Sequence, residues 1–214
     1  MKKIMFNDQY GLTQAVLDRR KKKTRRNFTL TLHKGNLTRG DIKEVYPDEV
    51  FFNEGIWFFK YDGKVYELPK KNYPFYKVGE IVAIAQRYQD TWKVNPSISN
   101  NPYFLKGTKG WSNKMNVRAD LMPHQIRITD IQAERLQDIS EDDCIAEGVG
   151  ISKTDNRVGC PFGIPFNYYI KEDTKGYRYT TAREAYTALI NKVNGKGTWE
   201  KNPWVWVYSF ELVK

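Results

Sequence analysis

The sequence predicts an α+β protein in which five or more strands combine with three helices. The strand signals are apolar alternation and turn dipeptides, and the helix signals are capping residues followed by apolar residues three and four apart. A hydrophobic content of 40% and an aromatic content of 14% indicate a packed globule rather than a disordered chain. The length of 214 residues favours a single domain over 1–214.

The first helix is predicted over Asp8–Arg20, with Asp8 as its N-cap. One face of this helix carries Leu12, Ala15 and Val16 at i, i+3 and i+4, which is the spacing of an amphipathic helix.

Five further segments have strand character. The segment 49–68 predicts a β-meander, because Asp62-Gly63 supplies a hairpin turn, and 81–85 is apolar on both faces, as in a central strand. The five segments are Phe28–Leu32, Glu49–Leu68, Ile81–Ala85, Gln125–Ile131 and the almost wholly apolar Pro203–Leu212.

Two capping boxes predict the remaining helices. Ser140 with Asp143 begins a short acidic helix that runs from Glu141 to Glu147, and Thr181 with Glu184 begins a longer one. The stretches 95–120 and 150–180 are rich in Gly, Pro and polar residues, so we expect long loop insertions there.

The charge balance favours a polyanionic partner. The net charge is +10 and the pI about 9.4, which steers a protein towards nucleic acid. The N-terminus has no apolar stretch of signal-peptide type, and no apolar run reaches the roughly 18 residues of a membrane span. We therefore expect a cytoplasmic protein without a membrane partner, with Cys144 and Cys160 as reduced thiols.

The densest functional signal is the segment 19–26, in which seven of eight residues are Lys or Arg. Such a cluster after a helix predicts binding to phosphate-rich ligands, and a solvated surface turn is the alternative. The candidate nucleic-acid-binding cations are Arg19, Arg20, Lys22, Lys23, Arg25 and Arg26, with Lys21 inside the same run.

Thr24 interrupts this run of cations, three residues after Lys21. A hydroxyl is a nucleophile when a base lies close, and neighbouring positive charges lower the pKa of a lysine. The pair is therefore a candidate for Ser-Lys-type chemistry, and an ordinary turn threonine beside a surface lysine is the alternative.

Other chemistry has little support in the sequence. His33 and His124 are far apart, the two cysteines form no C-x-x-C pair, and no glycine-rich phosphate loop is present. We expect no metal site and no cofactor. Trp111, near a polar loop, is a candidate stacking platform for a base.

Several segments resemble ASCH-domain proteins, in the order that this family has them. Ile4-Met5-Phe6 and Gln14–Arg26 resemble the family's opening, where a helix leads into a loop of the form Gly-x-Lys-x-x-(Glu or Thr)-x-Arg. Lys21, Thr24 and Arg26 match its key positions. Further matching segments are Tyr76–Ile84, Asn113–Met115, Met122–Pro123, Ile126–Ile131, Glu134–Gly148 and Asn202–Val207.

This resemblance implies a PUA-like small mixed β-barrel flanked by about three helices, with a cleft beside the helix-to-strand loop. The family is associated with RNA binding and with recognition of modified nucleosides. Some small members remove an acyl group from N4-acylated cytidine, and on that pattern Lys21 is the base, Thr24 the nucleophile and Glu147 a proton-handling partner. Other members are ribonucleases, so the fold does not fix the activity.

This chain resembles the larger phage-type and bacterial members of the family, because the insertions at about 95–120 and 150–180 make it longer than the small hydrolases. It departs from the family pattern at two positions. Arg19 stands where the family has glycine, and Lys22 where it usually has threonine. Three functions stay open: binding of RNA or of a nucleoside or nucleotide at a basic cleft, amide hydrolysis on an acylated cytidine, and a protein-interaction module.

Overall fold

The computed structural model describes residues 1–33, 42–94, 105–151, 168–170 and 178–213. Within these ranges the chain is a mixed α+β protein, as predicted. Much of the two predicted insertions, at 95–104, 152–167 and 171–177, lies outside the described residues, as does Cys160.

The described elements alternate short strands with short helices. The α-helices are α1 (Leu12–Leu17), α2 (Tyr88–Thr91), α3 (Glu141–Ala146), α4 (Ala182–Asn194) and α5 (Thr198–Lys201). The strands are β1 (Lys2–Ile4), β2 (Lys23–Asn27), β3 (Leu30–His33), β4 (Ile42–Val45), β5 (Glu49–Asn53), β6 (Ile56–Tyr61), β7 (Lys64–Glu67), β8 (Ile81–Ile84), β9 (Gln125–Arg135), β10 (Gly150–Ile151), β11 (Tyr168–Tyr169), β12 (Arg178–Tyr179) and β13 (Trp204–Leu212).

The largest sheet has the order β1-β8-β9-β13-β2. β8 pairs in parallel with β1 and antiparallel with β9, so the predicted central strand is confirmed. β13 pairs antiparallel with both β9 and β2, and its residues from Trp204 to Tyr208 are all buried. Its apolar sequence fits a strand that is covered on both faces.

Three smaller sheets complete the described strands. The predicted meander is confirmed, because β5, β6 and β7 form one antiparallel sheet in chain order. β3 pairs with β4, and β10, β11 and β12 form a further sheet. The prediction of a strand over Phe28–Leu32 was partly wrong, since β3 begins only at Leu30.

The first helix is shorter than predicted. Asn7, not Asp8, caps a 3-10 turn over Asp8–Tyr10, and Gly11 with φ 66° separates that turn from α1. A left-handed residue interrupts a helix, which explains why one predicted helix is divided into two pieces. The stripe of Leu12, Ala15 and Val16 is buried as expected.

The other capping predictions are confirmed. The Ser140 hydroxyl accepts a hydrogen bond from the Asp143 N–H at 3.1 Å and begins α3. The Thr181 hydroxyl accepts from the Glu184 N–H at 3.1 Å and begins α4. The one-turn helices α2 and α5 were not predicted.

The core lies mainly between the large sheet and α4, with contributions from β5 and β6. A second, smaller cluster surrounds Tyr88. In the described part of the chain the large sheet ends at β1 and β2 and does not close into a barrel. None of the described helices combines the length and apolar character that a membrane span requires.

Candidate functional site

The site begins where α1 ends and the chain turns back. The Arg20 N–H donates to the Ala15 carbonyl at 2.9 Å and the Arg19 N–H donates to the Val16 carbonyl at 2.9 Å. Arg19 has φ 59°, so the pattern is that of a Schellman motif with Arg19 in its left-handed position. The motif reverses the chain and directs it into β2.

Lys21, the residue after this motif, is directed into the protein and is only 2% exposed. Its Nζ donates to the Glu147 Oε2 at 2.6 Å, to the Glu147 carbonyl at 2.7 Å and to the Lys23 carbonyl at 2.7 Å. Three acceptors satisfy all three protons of an ammonium group. Glu147, which directly follows α3, therefore holds Lys21 through both its side chain and its backbone.

Gly148 permits this close approach of the α3 end to α1. It has φ 107°, and a Cβ at this position would lie 3.0 Å from the Leu12 Cδ2 and 3.5 Å from the Lys21 Cδ. Both the backbone conformation and the contact therefore favour glycine.

Arg25 extends the ion pair into a network. Its guanidinium lies 3.1 Å from the Glu147 Oε1, 2.8 Å from the Asp143 Oδ2 and 2.7 Å from the Glu134 Oε1. The Lys23 Nζ adds a contact of 2.6 Å to the Asp143 Oδ1. Lys21, Lys23 and Arg25 thus face three carboxylates, and the network carries no excess charge.

Thr24 lines a cavity of about 50 Å³ together with Lys21, Arg25, Arg26 and Glu147. We call this hollow the site cavity. Thr24 is 5% exposed, and its hydroxyl forms no hydrogen bond with another described residue. A volume of this size holds a few water molecules and must widen to admit a base.

Tyr186 of α4 lines the same cavity. Its hydroxyl is buried and has no hydrogen-bond partner among the described residues. A buried phenol usually finds a partner, so this hydroxyl is an unused polar group beside the three predicted site residues.

Burial is the main influence on the pKa of Lys21 and lowers it from its ordinary value of 10.5. Glu147 opposes this shift, whereas Arg26 and Arg25 reinforce it. The sequence predicted a lowered pKa from neighbouring cations; the direction agrees, but desolvation is the larger cause.

The segment 19–26 is not a uniform surface turn, because β2 takes in its second half. Lys21 and Arg25 are buried in ion pairs, so their charges are not exposed to a surface ligand, and Lys23 is bonded to Asp143. Arg20 is exposed and lies 3.7 Å from Asp18. Arg19, Lys22 and Arg26 are exposed and form no ion pair with a described residue.

Trp111 is not one of the residues that line the site cavity. It is half-buried against the small cluster around Tyr88, with the Lys106 Nζ 5.9 Å from its ring centroid. The structure therefore does not bring this candidate stacking residue to the cations of 19–26.

Sequence reasoning missed Glu134, Tyr186 and the network role of Asp143. Asp143 was predicted only as a capping residue, and its side chain also bonds Lys23 and Arg25 from 120 and 118 residues away. The strand period offered a usable signal. Lys21, Lys23 and Arg25 are spaced two apart, and residues with this spacing in an extended chain point to the same face, where they can contact the same carboxylates.

Comparisons of the chain with protein-family models, with curated proteins and with solved structures found no match.

Proposed function

We propose that this chain binds RNA or a modified nucleoside beside the site cavity, and that it is an ASCH-type protein with a PUA-like arrangement of its strands. One observation carries the binding proposal: Arg19, Lys22 and Arg26 are exposed and form no ion pair with a described residue, beside a buried network that already neutralises itself. The Arg26 guanidinium donates to the Met5 carbonyl at 2.7 Å, which leaves its charge without a described counterion. Arg26 also lines the cavity directly. Exposed cations next to a hollow suit a ligand that carries phosphate and a base.

The binding test is the dependence of affinity on salt. Three cations on the phosphates of a single strand give a slope of log K against log salt of about −2, so affinity falls roughly 16-fold between 50 and 200 mM salt. The measurement is fluorescence anisotropy with a labelled 12-nucleotide RNA.

Lys22→Ala is the test variant. Lys64→Ala is its matched control, because Lys64 is also an exposed lysine but lies on β7. Lys22→Ala should reduce the slope by about 0.7, and Lys64→Ala should leave it unchanged. An affinity that does not respond to salt would contradict the proposal.

Amide hydrolysis is the second candidate, and the Thr24 hydroxyl favours it, because it lines the cavity and forms no hydrogen bond with another described residue. In this scheme Lys21 first passes a proton to the Glu147 carboxylate, whose Oε2 lies 2.6 Å from its Nζ, and the lowered pKa of Lys21 assists this step. The neutral amine then takes the proton of Thr24 as the Thr24 oxygen attacks the amide carbonyl carbon. Lys21 returns that proton to the departing nitrogen, and water hydrolyses the acyl-threonine ester to release the acid.

The hydrolysis test uses N4-acetylcytidine, with cytidine release followed by chromatography. Thr24→Ala and Lys21→Ala should each abolish turnover, because each removes a group that forms or breaks a bond. Thr13→Ala is the control, since Thr13 is also buried but does not line the cavity. Equal turnover in Thr24→Ala and Thr13→Ala would remove this candidate.

A further inference from the structure

A second, wider hollow of about 450 Å³ lies between the end of β2, the segment 71–76 and β13. We call it the aromatic groove. Its volume falls in the range of pockets that take small organic ligands, unlike that of the site cavity. Six rings contribute to its walls: Phe28, Tyr73, Phe75, Tyr76, Trp206 and Tyr208.

The floor of the groove is held in place by hydrogen bonds and ring contacts. Phe28 stacks on Trp206 with ring centroids 4.6 Å apart and planes 19° apart, and the Trp206 indole N–H donates to the Asn72 carbonyl at 3.0 Å. Tyr208 packs edge-on against Tyr76 at 5.2 Å. Its hydroxyl accepts from the Phe75 N–H at 2.9 Å. The polar ends of these rings are thus occupied within the protein.

Two rings at the groove keep exposed surface that a ligand can contact, although one face of Phe28 is already stacked on Trp206. Phe75 is 64% exposed and Phe28 is half-buried. An exposed phenylalanine costs free energy in water, and the flat face of a nucleobase is a surface that such rings stack on.

Two cationic residues, Arg26 and Lys71, line the groove. The Lys2 Nζ lies 4.7 Å from the centroid of the Phe75 ring, but it is paired with the Glu80 carboxylate at 3.1 Å and adds no net charge. A nucleotide fits this combination, because its base stacks on aromatic rings and its phosphate pairs with cations. A purely apolar ligand would make no use of the cations.

Arg26 connects the two hollows, because it lines both the site cavity and the aromatic groove. We infer that the aromatic groove is a stacking subsite for one base of a single-stranded nucleic acid, with Arg26 on the adjoining phosphate. The inference rests on the proposed binding function and names its ligand as a strand rather than a free nucleoside. A strand in this position places its neighbouring nucleotide at the site cavity.

The test replaces rings without changing charge. Phe28→Leu and Phe75→Leu should each weaken binding of a labelled 12-nucleotide oligouridine at least fivefold, and both should leave the salt slope unchanged. Arg26→Ala should instead reduce that slope by about 0.7. Phe52→Leu is the matched control, because Phe52 is 56% exposed on β5 and does not line the groove.

Inorganic polyphosphate separates stacking from charge, since it carries phosphates without bases. Its affinity should be the same for Phe75→Leu and for the unaltered chain. Phe75 is mostly exposed, so this variant keeps the test valid even if Phe28→Leu unfolds. The same series with oligodeoxyuridine, which differs from oligouridine only in its sugar, identifies which sugar the strand carries, and ring-dependent binding of either strand supports the inference.

The outcomes distinguish the subsite from the function it rests on. If both leucine variants bind oligouridine within twofold of the unaltered chain while the steep salt dependence persists, the subsite is wrong and the proposed function stands. If no oligonucleotide binds at 50 mM salt, both are wrong.

Discussion

Arg19 has a left-handed backbone that the reversal after α1 requires. A non-glycine residue in this conformation costs roughly 1–2 kcal/mol, and glycine costs about 0.5–1 kcal/mol through its freedom in the unfolded chain. We therefore predict that Arg19→Gly raises the free energy of unfolding by up to about 1 kcal/mol. Urea denaturation measures the change.

The neighbouring residue gives the control for this substitution. Arg20 has no positive φ, so Arg20→Gly should lose about 0.5–1 kcal/mol instead. If both glycines destabilise equally, the left-handed strain at Arg19 is negligible. Arg19 is also a surface cation that forms no ion pair with a described residue. Arg19→Gly should therefore reduce the salt slope of RNA binding by about 0.7 while it raises the stability.

Tyr186 permits a second prediction about a single group, its buried hydroxyl, which has no hydrogen-bond partner among the described residues. An unsatisfied buried polar group costs about 1–3 kcal/mol, so Tyr186→Phe should be at least as stable as the unaltered chain. Thermal unfolding checks this. Tyr208→Phe is the control, since that hydroxyl accepts a hydrogen bond and its loss should destabilise. A destabilised Tyr186→Phe would mean that the hydroxyl has a partner after all.

At the scale of elements, α3 and β2 are joined by the carboxylate of Asp143. Burial alone raises the pKa of Asp143, but hydrogen bonds from Lys23 and Arg25 outweigh it and hold the pKa below the ordinary 3.8. A carboxylate with a lowered pKa in the folded state stabilises the fold above its unfolded pKa, and this stabilisation is lost as the pH falls through the folded pKa.

We accordingly predict that Asp143→Asn costs roughly 1.5–3 kcal/mol at pH 7 and that the difference narrows below pH 3.8. Urea unfolding at pH 7, 4 and 3 measures it. Asp142→Asn is the matched control, because Asp142 is exposed in the same helical turn and should cost less than about 1 kcal/mol. A gap that stays constant with pH would show that the charge of Asp143 is irrelevant.

The elements also show what the sequence could predict. Local signals were sufficient for α3, α4, the meander and the two apolar strands, because caps, turns and alternation depend on residues close in the chain. They failed at Gly11, where one left-handed residue divided a helix, and at 19–26, where a run of similar charges obscured a strand.

The candidate site was predictable in part. Lys21, Thr24 and Glu147 do line one cavity, but that grouping came from a family pattern rather than from the residues alone. Glu134 and Tyr186 join the site through contacts with residues more than a hundred positions away in the chain, and no local pattern encodes such contacts.

At the scale of the whole molecule, the described strands differ greatly in how firmly they are held. β13 is paired on both sides and buried over most of its length, whereas β7 pairs only with β6 among the described strands and is exposed at every residue. Strands with few buried contacts open locally without unfolding the rest of a protein. We expect amides of β13 to exchange with solvent deuterium at least about tenfold more slowly than those of β7.

Mass spectrometry of peptic peptides measures this difference, and β9 is the internal control. β9 is also paired on both sides, with β8 and β13, so its peptides should be protected like those of β13. The amides of β6 should show intermediate protection. Its Trp57 and Phe59 are buried in the main core, but every residue of its partner strand β7 is exposed to solvent. Equal protection of β7 and β13 would mean that the small sheet and the large one open together as a single cooperative unit.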